Sequence, residues 1–285
     1  MKTESRRSFI TIGLGTTTGL AFLSGCSRSS HTFMMESREK INALLVSATT
    51  NPGQRSLEHA HAMIEDTFGN RKRILLINYA SLPEQRDAYA KRMEREFAKI
   101  GPGYEIFSIH GLSRNEANEA VVSAEGFFVS GGNTFLLLKE LYDRSLVELI
   151  QKRAVSGVPY IGSSAGSNIG GLAIGTTNDF PLVDIPTLQS LGLLPAIYNP
   201  HHPDPSLDEA QFAARQGKIE GYVAYNKNAA VVGVTNPGML RIRGTEISLA
   251  GTGAKAFVTR NGSSKRVVSL EPGEISRELG LGSVI

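Results

Sequence analysis

From residue 41 onward, short apolar runs alternate with longer segments of mixed polarity. The apolar runs are INALLVSA (41–48), RILLINYA (73–80), YEIFSI (104–109), EGFFVS (125–130) and VPYIG (158–162), with little polar alternation inside them. Strands covered on both faces have this appearance. Between them, 56–69, 83–101, 113–124 and 133–157 carry helical patterning; Pro83 opens the second of these and Gly101 closes it. Strand–helix alternation at this spacing predicts an α/β fold, a doubly wound, mostly parallel sheet flanked by helices. After residue 220 the texture changes to AAVVGVTN, GMLRIRG, TEISLAG, AKAFVTRNG and KRVVSLEPG, short strands separated by Gly, Asn and Pro turns. These are expected to form a C-terminal antiparallel extension of the same sheet. No repeat or low-complexity tract interrupts residues 41–285, which are read as a single domain.

The N-terminal 40 residues read differently. Paired Arg6 and Arg7 precede a moderately apolar stretch to Leu23, followed by Leu23-Ser24-Gly25-Cys26. A charged start and a short apolar region form an export signal, too short and too rich in Gly and Thr for a comfortable membrane span. Residues 1–26 resemble a twin-arginine signal ending in a bacterial lipobox, which implies export in the folded state, cleavage before Cys26 and lipidation of its thiol. An ordinary secretory signal with a chance cysteine is the alternative. Residues 27–40 are polar and read as a tether. The expected location is periplasmic or at the cell surface, lipid-anchored to a bacterial membrane.

Composition changes meaning once the signal is set aside. Lys2, Arg6 and Arg7 against Glu4 give residues 1–26 a net +2, leaving +1 of the total +3 for the rest of the chain. The basic balance is therefore no argument for nucleic acid as a partner. Cys26 is the only cysteine, which excludes an internal disulfide, a cysteine metal site and cysteine catalysis. At 285 residues and 41% hydrophobic, the chain is long enough to bury one sizeable core.

Gly162-Ser163-Ser164-Ala165-Gly166 has the spacing Gly-x-Ser-x-Gly, follows a predicted strand and opens a predicted short helix. That is the context of a nucleophile elbow, with Ser164 central and Ser163 at the variable position. The N–H groups opening the helix, Ala165 first, would face a developing oxyanion. Gly131-Gly132-Asn133 repeats the strand–turn–helix logic, and its glycines allow close approach to a ligand and a second oxyanion donor. Of the histidines, His31 lies in the tether, His59 and His61 do not share a helix face, and His110 ends a strand without an evident partner. His201 and His202 sit in a Pro-flanked loop (YNPHHPDP) suited to hold a general base, and at most one of the two can serve. No metal-ligand spacing is present, so no metal is expected.

With these pieces placed, the chain resembles the peptidase E family of aspartyl dipeptidases, and more loosely the cyanophycinases. The resemblance spans roughly 41–260 and rests on LEHA (57–60), SGGNTFLLLKE (130–140), PYIGSSAGSN (159–168), TTNDFPLVD (176–184) and LGLLPAIYNPH (191–201), in that order. It implies a class I glutamine amidotransferase-like fold and cofactor-free cleavage of dipeptides with an N-terminal aspartate. The family's nucleophile falls on Ser164, its histidine on His201, and its oxyanion donors on Ala165 and the Gly131–Gly132 turn. The arginine that holds the substrate carboxylate aligns with Arg215, although Phe212-Ala213-Ala214 replaces the family's Gly-Glu-Thr before it. The family's triad glutamate falls on Asn236, or on Pro237 if the alignment slips.

Three outcomes follow from that last departure: a working Ser-His-Asn site, a surrogate acid among Asp179, Asp184, Asp204 and Glu246, or a weakened enzyme. Gly175, where the family commonly has arginine, and Ser163, where it often has tryptophan, are expected to reshape the pocket. The leading expectation is a serine dipeptidase of this type. A cyanophycinase-like peptidase acting on other acidic or isoaspartyl peptides, and a catalytically weakened binding protein, stay open beside it. The expected partners are a small acidic peptide and the membrane that holds the anchor, with a homodimer left open.

Overall fold

The computed structural model of the chain describes residues 38–267 and 273–281. The expected signal, Cys26 and the tether up to residue 37 lie outside the described residues. Among the described residues no helix is long and apolar enough to cross a membrane.

Each of the five apolar runs contains a strand: β1 (Asn42–Val46), β2 (Arg73–Ile77), β3 (Glu105–Ser108), β4 (Gly126–Val129) and β5 (Tyr160–Ser163). They pair in parallel in the order β3-β2-β4-β5-β1. Helices alternate with them: α1 (His61–Phe68), α2 (Arg86–Ile100), α3 (Arg114–Ser123), α4 (Thr134–Asp143), α5 (Val147–Val155) and the short α6 (Ala165–Ile169). Ser113 and Glu116 form a capping box that starts α3, and the Asn133 side chain accepts from Phe135 and Leu136 to start α4. The helical segment 133–157 divides into α4 and α5 because Ser145 takes a φ of 59°, which a right-handed helix cannot contain.

Successive strand residues point to opposite faces. Leu44, Val46, Ile74, Leu76 and Phe128 pack with Ile64 and Phe68 of α1 and Met93 and Phe97 of α2. Leu45, Leu75, Ile77, Phe127 and Val129 pack on the other face with α3 to α6, through Val121, Leu137, Leu141, Ile150 and Ile169 among others. Both faces of β1, β2, β4 and β5 are covered, which is why these strands read as continuous apolar runs; β3, at the edge, is only half-buried.

The C-terminal strands divide between two sheets. β8 (Met239–Arg243) pairs antiparallel with β1, and β9 (Glu246–Ala250) with β8, extending the main sheet to seven strands. β7 (Ala230–Val234), β10 (Ala256–Arg260) and β11 (Ser263–Val267) instead join β6 (Ile197–Asn199) in a four-stranded sheet of order β11-β10-β7-β6. One extension of one sheet was expected; only β8 and β9 fulfil it. β7 is buried along its whole length, so it needs cover on both faces. Val232 and Val234 enter the large core, while Val231 packs against Ile219 and Val223 of α7 (Glu209–Tyr225). A last short helix, α8 (Glu274–Glu278), packs Ile275 into the large core.

Candidate active site

The two sheets meet at the C-terminal ends of their parallel strands, where five strand ends converge. β1 ends at Ser47, β4 at Ser130-Gly131, β5 at Ser164, β6 at Pro200-His201 and β7 at Thr235-Asn236. Ser164 lies between β5 and α6 with φ 52° and ψ −108°, outside the wells open to a residue with a side chain. Such strain costs of order 1–3 kcal/mol and persists only where surrounding contacts impose it. Those contacts are visible: Ser164 N–H donates to Val46 O at 3.0 Å, Asn168 N–H to Ser164 O at 2.9 Å, and Gly166 N–H to Ser130 O at 3.2 Å. A Cβ at Gly166 would collide with the Val129 carbonyl, and one at Gly162 with the Gly166 carbonyl, so the tight turn requires both glycines.

The Gly131–Gly132 turn lies against this elbow. A Cβ on Gly131 would stand 3.1 Å from the Ser164 Cβ. Gly132 has φ 139°, and a side chain there would strike the Ala80 carbonyl. The N–H groups of Gly131, Gly132 and Ala165 have no hydrogen-bond partner among the described residues. α6 has only five residues, so what Ala165 offers an anion is its own N–H more than a helix dipole.

His201 Nε2 stands 2.8 Å from Ser164 Oγ, and His201 Nδ1 stands 3.2 Å from Asn236 Oδ1. His201 itself takes φ 54°. Its backbone N–H donates to Ser47 Oγ at 2.8 Å. The same Ser47 hydroxyl stands 2.8 Å from Asn236 Oδ1 and 2.9 Å from Val234 O, so β1 is tied to both halves of the second sheet. Desolvation of its ring draws the His201 pKa below the ordinary histidine value. The hydrogen bond to Asn236 and the Asp179 carboxylate oppose this, and the Arg215 charge adds to it.

Arg215, on α7, donates to Asn199 Oδ1 at 3.3 Å. Asn199 in turn donates to Thr176 O at 2.5 Å, and Asn178 donates to Pro200 O at 2.9 Å. These bonds couple the histidine loop to a cavity of about 320 Å³ whose wall includes Thr176, Asn178, Arg215, Lys218 and Tyr222. Among the described residues no cluster of His, Cys, Asp or Glu is fit to hold a metal ion.

The sequence profile of Peptidase family S51 matches residues 43–250. The chain belongs to that family. A peptidase E from Shewanella denitrificans is 42% identical over 162 residues, covering 57% of this chain and 67% of the relative. A Drosophila melanogaster protein named "Probable alpha-aspartyl dipeptidase" is 34% identical over 230 residues, 79% of this chain and 92% of the relative. The crystal structure of a peptidase from an acI-B1 Actinobacterium shares the fold, with a TM-score of 0.60 at 18% identity over 82% of this chain and 97% of that one. Membership of family S51 makes this a serine peptidase related to peptidase E.

Around Ser164 and His201, the geometry sharpens several expectations. No surrogate carboxylate reaches the His201 ring: Asp179 caps α4 through Thr134 N–H at 2.7 Å, and Asp204 is paired with Lys255. Neither Asp184 nor Glu246 contacts it. The group behind His201 is the Asn236 amide. His202 is buried, stacked on Phe257 with ring centroids 4.9 Å apart, and belongs to the packing under α7. Ser163 is fully buried and bonded to Thr49 Oγ1 at 2.6 Å, so it braces the elbow from inside and does not shape the open pocket as expected. Gly175 does shape it: the Tyr222 ring occupies the space that a side chain at 175 would need. The sequence reading missed Ser47 and Asn199. Ser47 closes an apolar run whose only signal was its length, and Asn199 sits two residues before His201 in a motif read for its histidines.

Proposed function

We propose that this S51 peptidase removes an N-terminal aspartate from small peptides through an aspartyl-enzyme on Ser164. The Ser164 hydroxyl donates to His201 Nε2, which takes the proton as Oγ attacks the scissile carbonyl. The N–H groups of Ala165 and of the Gly131–Gly132 turn receive the oxyanion, aimed at where charge develops. The imidazolium keeps its Nδ1–H on Asn236 Oδ1 and gives its other proton to the leaving amine. Water, activated by the same ring, then releases the acyl group. Arg215, facing the cavity beside the histidine loop, pairs with the substrate's side-chain carboxylate, a bidentate geometry that suits a guanidinium.

The observation that carries this reading is the chain of contacts Ser164 Oγ to His201 Nε2 at 2.8 Å and His201 Nδ1 to Asn236 Oδ1 at 3.2 Å. An amide orients the ring as a carboxylate does but brings no charge to the imidazolium, so turnover is lower than a carboxylate would support. Hydrolysis of Asp-Leu and Ala-Leu by the wild-type protein and by Ser164→Ala tests the proposal. Expected is rapid release of aspartate by the wild type alone; equal background rates for both proteins would sink it.

The N-terminal pattern supports export and anchoring through a lipidated Cys26, with Arg6-Arg7 as the twin-arginine pair and Leu23-Ser24-Gly25-Cys26 as the lipobox. The substrate would then be a peptide outside the cytoplasm. Metabolic labelling with an alkyne fatty acid in a bacterial host checks this: label on the wild type and none on Cys26→Ala is expected, and an unlabelled wild type refutes it.

A further inference from the structure

An amide behind a catalytic histidine has a hazard that a carboxylate lacks. It has one accepting end and one donating end. If the donating end faces Nδ1, the imidazole carries its proton on Nε2 and cannot take one from serine. Replacing the triad acid of a serine protease by its amide costs roughly 10⁴-fold in turnover for this reason, with the geometry intact. A chain that carries Asn236 at this place needs something to fix which end faces His201.

We infer that Ser47 is that device: a positioning residue whose hydroxyl hydrogen fixes the Asn236 amide, and through it the tautomer of His201. This rests on the serine peptidase reading above. Ser47 is fully buried, so no solvent competes for its hydroxyl. Its oxygen accepts the His201 backbone N–H at 2.8 Å. Its single hydrogen can reach Val234 O at 2.9 Å and Asn236 Oδ1 at 2.8 Å, with the Tyr198 hydroxyl, which gives its own hydrogen to Leu45 O, also beside it. Val234 O already receives the His202 N–H at 3.0 Å, whereas Asn236 Oδ1 facing Ser47 and His201 has no other donor among the described residues. Donation to Asn236, the shorter of the two contacts, is the one that selects an amide orientation. It holds Oδ1 inward, where it also accepts from His201 Nδ1, leaving Nε2 unprotonated and 2.8 Å from Ser164 Oγ.

The alternative arrangement is explicit. With the Ser47 hydrogen on Val234 O, the amide turns over, its NH₂ donates to both Ser47 Oγ and His201 Nδ1, and the histidine is locked in the unproductive tautomer. Removing the hydroxyl removes the preference between the two.

The test is a double-mutant cycle in which a carboxylate replaces the amide. Asp at 236 accepts at both ends, so its orientation no longer matters and Ser47 has nothing to select. Ser47→Ala is expected to lower kcat for Asp-Leu about two- to fivefold in the Asn236 enzyme, because half or more of the His201 rings then take the unproductive tautomer, with KM little changed. In the Asn236→Asp background the same substitution is expected to leave kcat unchanged within about 1.5-fold. An equal loss in both backgrounds overturns the proposal, since a purely structural role would not depend on residue 236; no loss in either overturns it too.

Should Asn236→Asp be inactive or Ser47→Ala fold poorly, Ser47→Thr, which keeps the hydroxyl, and ¹⁵N NMR of histidine-labelled protein decide. Wild type and Ser47→Thr are expected to show the His201 Nδ1–H tautomer, and a His201 protonated at Nε2 in the wild type contradicts the inference. Activity of Ser164→Ala at the wild-type level would instead refute the underlying peptidase reading.

Discussion

Substituting Asn236 by Asp places a full charge where the amide now stands, 3.2 Å from His201 Nδ1. Two unit charges at that separation attract by about 1.3 kcal/mol in bulk water and about 5 kcal/mol at an effective dielectric of 20. Residue 236 is exposed, so the lower end applies. At about 1.4 kcal/mol per pKa unit this raises the His201 pKa by roughly one unit. In the wild type, desolvation of the ring draws that pKa below the ordinary histidine value. With His201 as the proposed base, activity requires its neutral form, so the acid limb of kcat/KM falls below the usual histidine range in the wild type and moves upward in Asn236→Asp. The plateau above the limb should rise about tenfold, because the same attraction stabilises the imidazolium that forms in the transition state. The assay is a pH–rate profile for Asp-Leu between pH 4 and pH 9. Repeating it at 1 M salt, where the Debye length is about 3 Å, should shrink the displacement. A limb that stays in place or moves to lower pH, in a protein with unchanged circular dichroism, refutes the assignment of Asn236 as the group behind His201.

Arg215→Met is expected to lower kcat/KM for Asp-Leu about ten- to hundredfold while leaving the slow hydrolysis of Ala-Leu unchanged, measured by steady-state kinetics. Gly132→Ala combines a φ of 139° with a collision against the Ala80 carbonyl, and should lower both the thermal midpoint and turnover; an unchanged melting curve would contradict the packing described. His202→Phe should keep measurable dipeptidase activity while costing about 1–3 kcal/mol of stability in denaturant melts, since the ring packs against Phe212 and Phe257 and its Nδ1 bonds only to the Pro203 carbonyl, away from Ser164. Burial would raise the Asp204 pKa, but bonds from Lys255 and Ser206 outweigh it and hold the carboxyl at about 2. Because that value is lowered from 3.8, its stabilisation is complete above pH ~4 and fades as pH falls toward ~2. Asp204→Asn should therefore flatten the acid side of the stability curve.

The parallel core was legible because its strands are buried on both faces. Leu44 and Leu45 enter opposite cores, so neither position can be polar, and the run announces a strand of that class. The division of the C-terminal strands was not legible. β7 and β8 look alike as short apolar runs, and only the turn between them and the cover offered by α7 decide that one joins β6 and the other β1. In the site, Ser164 was readable from local spacing, since the elbow needs glycines at fixed offsets in one stretch of chain. Asn236 was reachable only through the family resemblance. Ser47 left no mark, because a serine at a strand end is common and its importance comes from bonds to residues 154 and 189 positions away.

In the proposed mechanism Ser164 becomes acylated by the aspartyl half of the substrate. Acid quenching of the enzyme during turnover of aspartyl p-nitroanilide, followed by mass spectrometry of the peptide containing Ser164, checks this step itself. Expected is a base-labile aspartyl ester on Ser164, absent from Ser164→Ala and accompanied by a burst of nitroaniline. Turnover at full rate with no adduct on that peptide and no burst would contradict it.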